Sequence, residues 1–250
     1  MTKKLVCDEL SFGYEQHKPI LHQLSLYVAE GEFVSLIGPS GSGKSTLFYL
    51  LGGLYTPKQG EIELDGRSII GKRGCIGYVP QQASLLPWRT VEQNVRLSLE
   101  IGAHPKKIDV DSLLMHAGLQ QVAHAYPHQL SGGMQQRVAF IRALAQNHSL
   151  LCLDEPFASL DALTRFQMQR WLMKVLEEES RTVLLITHSI EEALLLSDRI
   201  YLLGANPMQV REEFSIPHPR EERLKWRESP DFVSWRKKLE ELLFEAKSVV

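Results

Sequence analysis

Residues 33–46 read Phe33-Val34-Ser35-Leu36-Ile37-Gly38-Pro39-Ser40-Gly41-Ser42-Gly43-Lys44-Ser45-Thr46. A short apolar run enters a glycine-rich loop, and residues 46–51 then show helical apolar content, closed by Gly52-Gly53. Strand, loop and helix in that order open a βα unit and point to an α/β fold. Residues 38–45 fit GxxxxGK[ST] in the context that pattern requires. Glycines let backbone N–H groups wrap phosphate oxygens, and the helix N-terminus adds a favourable dipole. In such a loop Lys44 reaches the β- and γ-phosphates of a nucleotide, and the Ser45 hydroxyl coordinates Mg²⁺. With this composition a chance match has a probability of about 0.6%. A Gly/Ser turn with a surface lysine is the plain alternative.

The flanking sequence carries the same architecture further. Residues 5–14 and 20–28 alternate like antiparallel strands, with a turn around residues 16–19. Residues 60–64 and 74–79 read as further short strands. From residue 91 to about 119, and from Gly132 or Gly133 to about Ala145, the pattern is helical. Residues 150–153 and 182–187 are continuously apolar, as in strands buried on both faces. Residues 162–179 and 190–197 read as helices and residues 200–203 as a strand. The expected fold is a single α/β domain over residues 1–250. A mixed-sheet core with an antiparallel β-subdomain takes about residues 3–84 and 146–210, with a helical subdomain at about 85–145. A short helical tail follows at about 211–250, where Phe232, Trp235, Leu239, Leu242 and Leu243 recur at the spacing that packs a helix onto the body.

Composition sets outer bounds. A chain of 250 residues should bury roughly 70–75% of its unfolded surface. With 44% hydrophobic and 23% charged residues it is neither disordered nor fibrous. The charge balance, 28 Lys plus Arg against 30 Asp plus Glu, leaves no global field for nucleic acid, so no nucleic-acid partner is expected. Cys7, Cys75 and Cys152 form no CxxC pair and are expected as buried free thiols. No signal-peptide pattern opens the chain and no run of 18 apolar residues occurs, so it is not expected to span a membrane.

Two other segments carry chemistry. Leu150-Leu151-Cys152-Leu153-Asp154-Glu155-Pro156 ends a buried strand in two carboxylates, where the ligand crevice of an α/β sheet lies. There Asp154 can hold Mg²⁺ through water, and Glu155 can polarise a water that attacks a γ-phosphate. Two solvated loop acids are the alternative. Leu130-Ser131-Gly132-Gly133-Met134-Gln135-Gln136-Arg137 opens a helix with free N–H groups and a hydroxyl, a second phosphate-binding arrangement or an ordinary capped helix.

Taken together, the three segments resemble the ATP-binding cassette (ABC) family, whose LSGGQ signature residues 130–134 match with Met134 in the variable last place. The resemblance covers about residues 3–245 and implies a P-loop NTPase of ABC type that binds ATP and Mg²⁺. By it, ATP is contacted by Tyr14, which stacks on adenine, by Gly38, Pro39, Ser40, Gly41, Ser42, Gly43, Lys44, Ser45 and Thr46, and by Ser131, Gly132 and Gly133. Ser45, Gln81 and Asp154 are implied at the metal, and Glu155, His188 and Gln81 in catalysis. Gln81, with Gln82 beside it, is placed by its spacing from Tyr78-Val79 as the Q-loop residue. Ser159-Leu160-Asp161 resembles the D-loop that contacts an opposing subunit, and His188 the switch histidine that hydrogen-bonds the γ-phosphate. Tyr14 as a core aromatic and His188 as a structural histidine are the plainer readings of those residues taken singly.

The chain has one GxxxxGK[ST] loop and one LSGG segment, and no internal repeat. In the ABC family the LSGG of one copy covers the nucleotide of the other, which implies a homodimer around two ATP molecules. Leu85-Leu86-Pro87-Trp88-Arg89-Thr90-Val91 resembles a run in nitrate/sulfonate/taurine importer ATPases, a branch that includes importers of the thiamine precursor hydroxymethylpyrimidine. That resemblance implies a bacterial importer motor at the cytoplasmic membrane face, with an integral membrane permease and an extracytoplasmic solute-binding protein as partners. Residues 86–89 would line the groove that receives the permease. A soluble ABC ATPase of the iron–sulfur assembly type is the alternative of similar size.

Overall fold

β3 (Phe33–Ile37) is the strand around which the other elements are arranged. It pairs in parallel with β8 (Thr182–Ile186) on one side and β9 (Arg199–Leu203) on the other, so Val34 faces both Leu184 and Arg199. β7 (Leu150–Asp154) and β6 (Gly77–Val79) extend the sheet in parallel beyond β8, and β10 (Val210–Ser215) runs antiparallel to β9 at the other edge. The order among the described residues is β10-β9-β3-β8-β7-β6. The computed structural model describes residues 2–15, 18–101, 109–179, 181–205 and 207–248.

Every residue of β3, β7, β8 and β9 is buried, which explains their unbroken apolar sequence. The period-2 alternation of a strand divides them between two cores. Phe33, Ile37, Leu151, Leu153, Val183, Leu185, Ile200 and Leu202 point into one. Val34, Leu36, Leu150, Cys152, Leu184, Ile186, Tyr201 and Leu203 point into the other. The second core is closed by α1 (Lys44–Leu51) and by a sheet of order β2-β1-β4-β5, in which β1 (Lys3–Phe12) pairs antiparallel with β2 (Leu21–Ala29) and β4 (Gln59–Leu64), and β5 (Arg67–Ser68) follows. The first core is covered by α4 (Gly132–Ala145), α5 (Ala162–Glu179), α6 (Ile190–Leu196) and α8 (Pro230–Ser248).

α2 (Val91–Ile101), α3 (Val110–His116) and α4 share a third cluster built on Val91, Val95, Leu114, Val138 and Ile141. α4 is common to both neighbours: Val138 and Ile141 enter the helical cluster, while Ala139, Phe140, Ala143 and Leu144 enter the sheet core. Any displacement of α4 therefore reaches the sheet. The helical pattern over 91–119 is two helices. Asp109 caps the second, its Oδ1 accepting from the N–H groups of Asp111 and Ser112. Residues 102–108 lie outside the described residues, as do residues 16 and 17 of the expected turn at 16–19.

Three local features differ from expectation. The strand expected over 74–79 is Gly77–Val79 only, after Gly74 turns the chain at φ 72°. Cys75 is half-buried, whereas Cys7 and Cys152 are buried and burial pushes both thiols up, Cys7 to about 12. Val210–Ser215, read from sequence mostly as tail, forms β10 at the sheet edge.

The tail is fastened by charge as well as by apolar contact. Phe232 and Leu239 of α8 are buried, with Trp235, Leu242 and Leu243 packed against them. Asp198 accepts from Phe33 N (2.9 Å), from Arg220 Nε (3.0 Å) and from a terminal nitrogen of Arg223 (2.9 Å), whose side chain is 1% exposed. Burial works to raise the Asp198 carboxyl, but the hydrogen bonds from Arg220 and Phe33 and the two guanidinium charges hold it below the ordinary range. Such a depressed carboxyl contributes stability above about pH 4 that is lost as pH falls through its folded value. Asp198→Ala removes the carboxylate that Arg220 and the buried Arg223 share, at a cost of about 3 kcal/mol. Thermal unfolding should show a Tm lower by roughly 6–12 °C; an unchanged Tm would discount the anchor.

Candidate functional site

The loop after β3 turns into α1 through two left-handed glycines, Gly41 at φ 76° and Gly43 at φ 102°. Gly43 is the N-cap of α1, so the helix starts at Lys44, two residues earlier than its apolar pattern suggests, and the first-turn N–H groups face the loop. A side chain on Gly43 would be strained at that φ and would also meet Ile20 Cγ2 at 2.5 Å. Lys44 is 6% exposed and donates to the carbonyls of Gly38 (3.0 Å) and Pro39 (2.7 Å) and to Ser42 Oγ (3.3 Å). Burial lowers its ammonium pKa, against the opposing pull of Glu155 and Asp154. A surface lysine it is not.

A cavity of about 400 Å³ opens over this loop, lined by Tyr14, Pro19, Ile20, residues 40–46 and Glu155. Tyr14 is 56% exposed at its rim, edge-on to Phe12 (5.2 Å) and Tyr55 (5.4 Å). Its hydroxyl lies 3.3 Å from Thr46 Oγ1. The ring is thus held by neighbours while more than half of it stays exposed, as a stacking platform requires.

The carboxylates come from the end of β7, beside β3's loop across β8. Asp154 is 8% exposed and accepts from the Tyr78 hydroxyl (3.2 Å) and from the Ser45 side chain. Burial raises its pKa; the bonds from Ser45 and Tyr78 and the charge of Lys44 work the other way. Glu155 sits at φ 44°, a conformation costly for a non-glycine residue, and its N–H is pinned to the Ile186 carbonyl at 2.9 Å. Its side chain meets His188, whose Nδ1 lies 3.1 Å from Glu155 Oε2. His188 follows β8 and is exposed.

Gln81 lies two residues beyond Val79, the partner of Leu153, so it leaves the sheet at the same level as Glu155. It is exposed and outside the cavity lining. Its loop is held from α4: Gln136 Nε2 donates to the Pro80 carbonyl (3.4 Å), and Arg142 donates to the carbonyls of Ala83 and Ser84, both at 3.0 Å. Sequence reading passed over Gln136, Arg142 and Tyr78, because nothing in their spacing shows what they grip.

Ser131, Gly132 and Gly133 are not brought to this cavity. Ser131 caps α4, its Oγ accepting from Met134 N at 3.3 Å, and Ser131 and Gly132 are exposed. A Cβ on Gly133 would stand 2.4 Å from Thr164 Cγ2, so α4 and α5 meet closely there. Ser159 is exposed, and Asp161 caps α5 with Oδ1 accepting from Leu163 N (3.1 Å) and Thr164 N (3.0 Å), so its carboxyl is lowered by the Thr164 contacts above all.

A glycine-rich loop around a buried lysine, two acids at the end of the parallel strand beyond β8 and a histidine facing one of them define a P-loop nucleotide-binding domain. Its relatives agree. A family model described as ABC transporter matches residues 21–158. The formylaminopyrimidine import ATP-binding protein ThiZ of Halalkalibacterium halodurans is 47% identical over 87% of this chain and 86% of its own length. The taurine import ATP-binding protein TauB of Yersinia pestis is 44% identical over 80% of each chain. A solved ATP-binding cassette, dimeric in a post-hydrolysis state with ADP and Pi, matches with a TM-score of 0.73 at 32% identity, covering 86% of this chain and all of that one. The chain belongs to the ABC transporter family.

Proposed function

We propose that this chain is the ATP-hydrolysing motor of an ABC importer for a small organic or oxyanion nutrient, working as a homodimer closed on two ATP molecules. The separation of its two phosphate-binding arrangements carries this reading. The Lys44 loop and Glu155 line one cavity, with His188 set against Glu155, while Ser131 and Gly132 stand exposed outside that lining on the same chain. A second copy related by a two-fold axis would bring each LSGG segment over the other's cavity. Relatives named as import ATP-binding proteins for formylaminopyrimidine and taurine favour an importer over an assembly ATPase.

In this reading the loop N–H groups and Lys44 bind the phosphates and Tyr14 stacks on adenine. Ser45 and Asp154 are hard oxygen donors within hydrogen-bond contact, and they fit Mg²⁺, which takes one or two protein oxygens and fills its shell with water and phosphate. Among the described residues no cluster of three His, Cys, Asp or Glu could cage a metal alone. Mg²⁺ would supply charge neutralisation at the phosphates, with Gln81 reaching the same ion. Glu155 takes the proton from water as its oxygen bonds the γ-phosphorus and the bond to the ADP oxygen breaks. His188, held on Glu155, donates to the γ-phosphate.

No helix among the described residues is long and apolar enough to cross a membrane. In this reading the permease is a separate protein and this chain sits on its cytoplasmic face. Trp88 is 71% exposed beside Leu86 and Pro87, an anchor suited to a permease helix, and a solute-binding protein would deliver cargo from outside. Trp88→Ala should weaken binding to permease-bearing proteoliposomes by roughly 30-fold in a co-sedimentation titration. Undiminished binding would move the docking surface elsewhere. Substrate-stimulated ATP hydrolysis in proteoliposomes that hold the adjacent-gene permease tests the importer reading as a whole.

A further inference from the structure

Beneath the exposed His188 lies a buried carboxylate that the chemistry above does not use. Glu192, in the first turn of α6, is 4% exposed. Its Oε2 accepts from the Thr187 hydroxyl at 2.5 Å, and Thr187 is itself 1% exposed. Thr187 Oγ1 also accepts from Ser189 N at 3.0 Å, so the residues on both sides of His188 are clamped to one hydroxyl. The other oxygen, Oε1, accepts from Gln169 Nε2 at 3.4 Å and lies 4.0 Å from Arg165 Nε, both on α5. Arg165 in turn donates to the Leu160 carbonyl at 2.9 Å.

We propose that Glu192 is a positioning residue: it fixes the 187–189 turn that aims His188 at Glu155, and through Arg165 it ties that turn to the Leu160 carbonyl of the 159–161 loop. The proposal rests on the reading of His188 as a participant in ATP hydrolysis and of residues 159–161 as the segment facing the second copy. Burying a carboxylate is costly unless it is well partnered, and a capped seven-residue helix does not need one, since Ser189 Oγ already accepts from Glu192 N at 3.3 Å. Burial raises the Glu192 carboxyl pKa, the Thr187 hydroxyl and the Arg165 charge acting against it, so the group is expensive where it stands. What it provides is a continuous link, electrostatic at the Arg165 step, where Nε makes no hydrogen bond, and hydrogen-bonded on either side. The link runs from the Leu160 carbonyl through Arg165, Glu192 and Thr187 to the backbone on either side of His188, and His188 meets Glu155 at 3.1 Å. A shift of the 159–161 loop on dimer closure would therefore change how firmly His188 is aimed.

The test uses the purified full chain with ATP and Mg²⁺. Glu192→Ala should lower kcat about tenfold or more while ATP affinity, read by equilibrium titration, stays within about twofold. Glu192→Gln, whose amide oxygen still accepts from Thr187, should recover most of that loss. In a His188→Ala chain the further change Glu192→Ala should cost nothing more, because residues acting as a unit are non-additive. Thr187→Val against Thr187→Ser repeats the comparison without touching Glu192, should Glu192→Ala fail to fold. Unchanged kcat in both Glu192→Ala and Thr187→Val, or an equal fractional loss from Glu192→Ala with and without His188, overturns the proposal while leaving the nucleotide site intact. Full activity of His188→Ala overturns the switch reading itself, and the proposal with it.

Discussion

Glu155→Gln should abolish steady-state ATP turnover while letting ATP and Mg²⁺ hold the chain as a stable dimer. The substitution keeps size and shape, so the φ 44° backbone, pinned by the bond from Glu155 N to the Ile186 carbonyl, has no reason to relax. The amide no longer accepts a proton from water. Loss of a positioned general base costs about 10²–10⁴ in rate. The groups that bind nucleotide are untouched: Lys44, the 40–46 loop and Tyr14 line the cavity independently of this carboxylate's charge. Removing a negative charge next to the phosphates even favours the bound state. The Oε2 contact to His188 at 3.1 Å can be kept by the amide oxygen with the histidine donating. Size-exclusion chromatography with ATP and Mg²⁺ separates the outcomes. Elution as monomer only would remove the two-copy arrangement, and turnover within tenfold of the unaltered chain would remove Glu155 as the base.

The fold was readable wherever burial on both faces forces an apolar run. β3, β7 and β8 are such runs, and their ends put the loop, the acids and His188 on one edge. β10 was not readable for the opposite reason. It is an edge strand paired only with β9, and of Val210-Arg211-Glu212-Glu213-Phe214-Ser215 only Phe214 is buried, so it looks like tail. β5, two exposed residues long, carries no pattern at all. The chemistry-bearing residues were legible because their types and spacing are set by phosphate and water. Their supports were not. Tyr78, Arg142 and Glu192 matter through partners 76, 59 and 5 positions away in the chain, and only the folded structure brings the distant ones together. The Ser189-x-x-Glu192 spacing matches a capping box, but only its Ser189 Oγ half is made; Ser189 N donates to Thr187 Oγ1 and the Glu192 carboxylate is buried against Thr187 instead.

Lys44→Ala should fail at an earlier step than Glu155→Gln, by losing nucleotide itself. Lys44 is buried and its ammonium already stands inside the loop, donating to Gly38 and Pro39 carbonyls and to Ser42 Oγ. It therefore has two tasks. It holds the loop in the shape that turns N–H groups toward the cavity, and it presents a desolvated positive charge to the phosphates. Its lowered pKa, caused by burial, marks a charge that lacks water and gains when an anion arrives. A charge-assisted hydrogen bond contributes about 1.5–3 kcal/mol, so its loss alone weakens ATP binding roughly 10- to 150-fold. Loss of the loop contacts adds to this, and the expected total is about a hundredfold or more. Lys44→Arg should not rescue, because a guanidinium is too large for a pocket whose acceptors lie 2.7–3.3 Å from a single nitrogen. Equilibrium titration with a fluorescent ATP analogue reads the affinity directly, and Glu155→Gln serves as the control that keeps it. Wild-type affinity in Lys44→Ala would take the phosphate contact away from Lys44 and leave it only the loop.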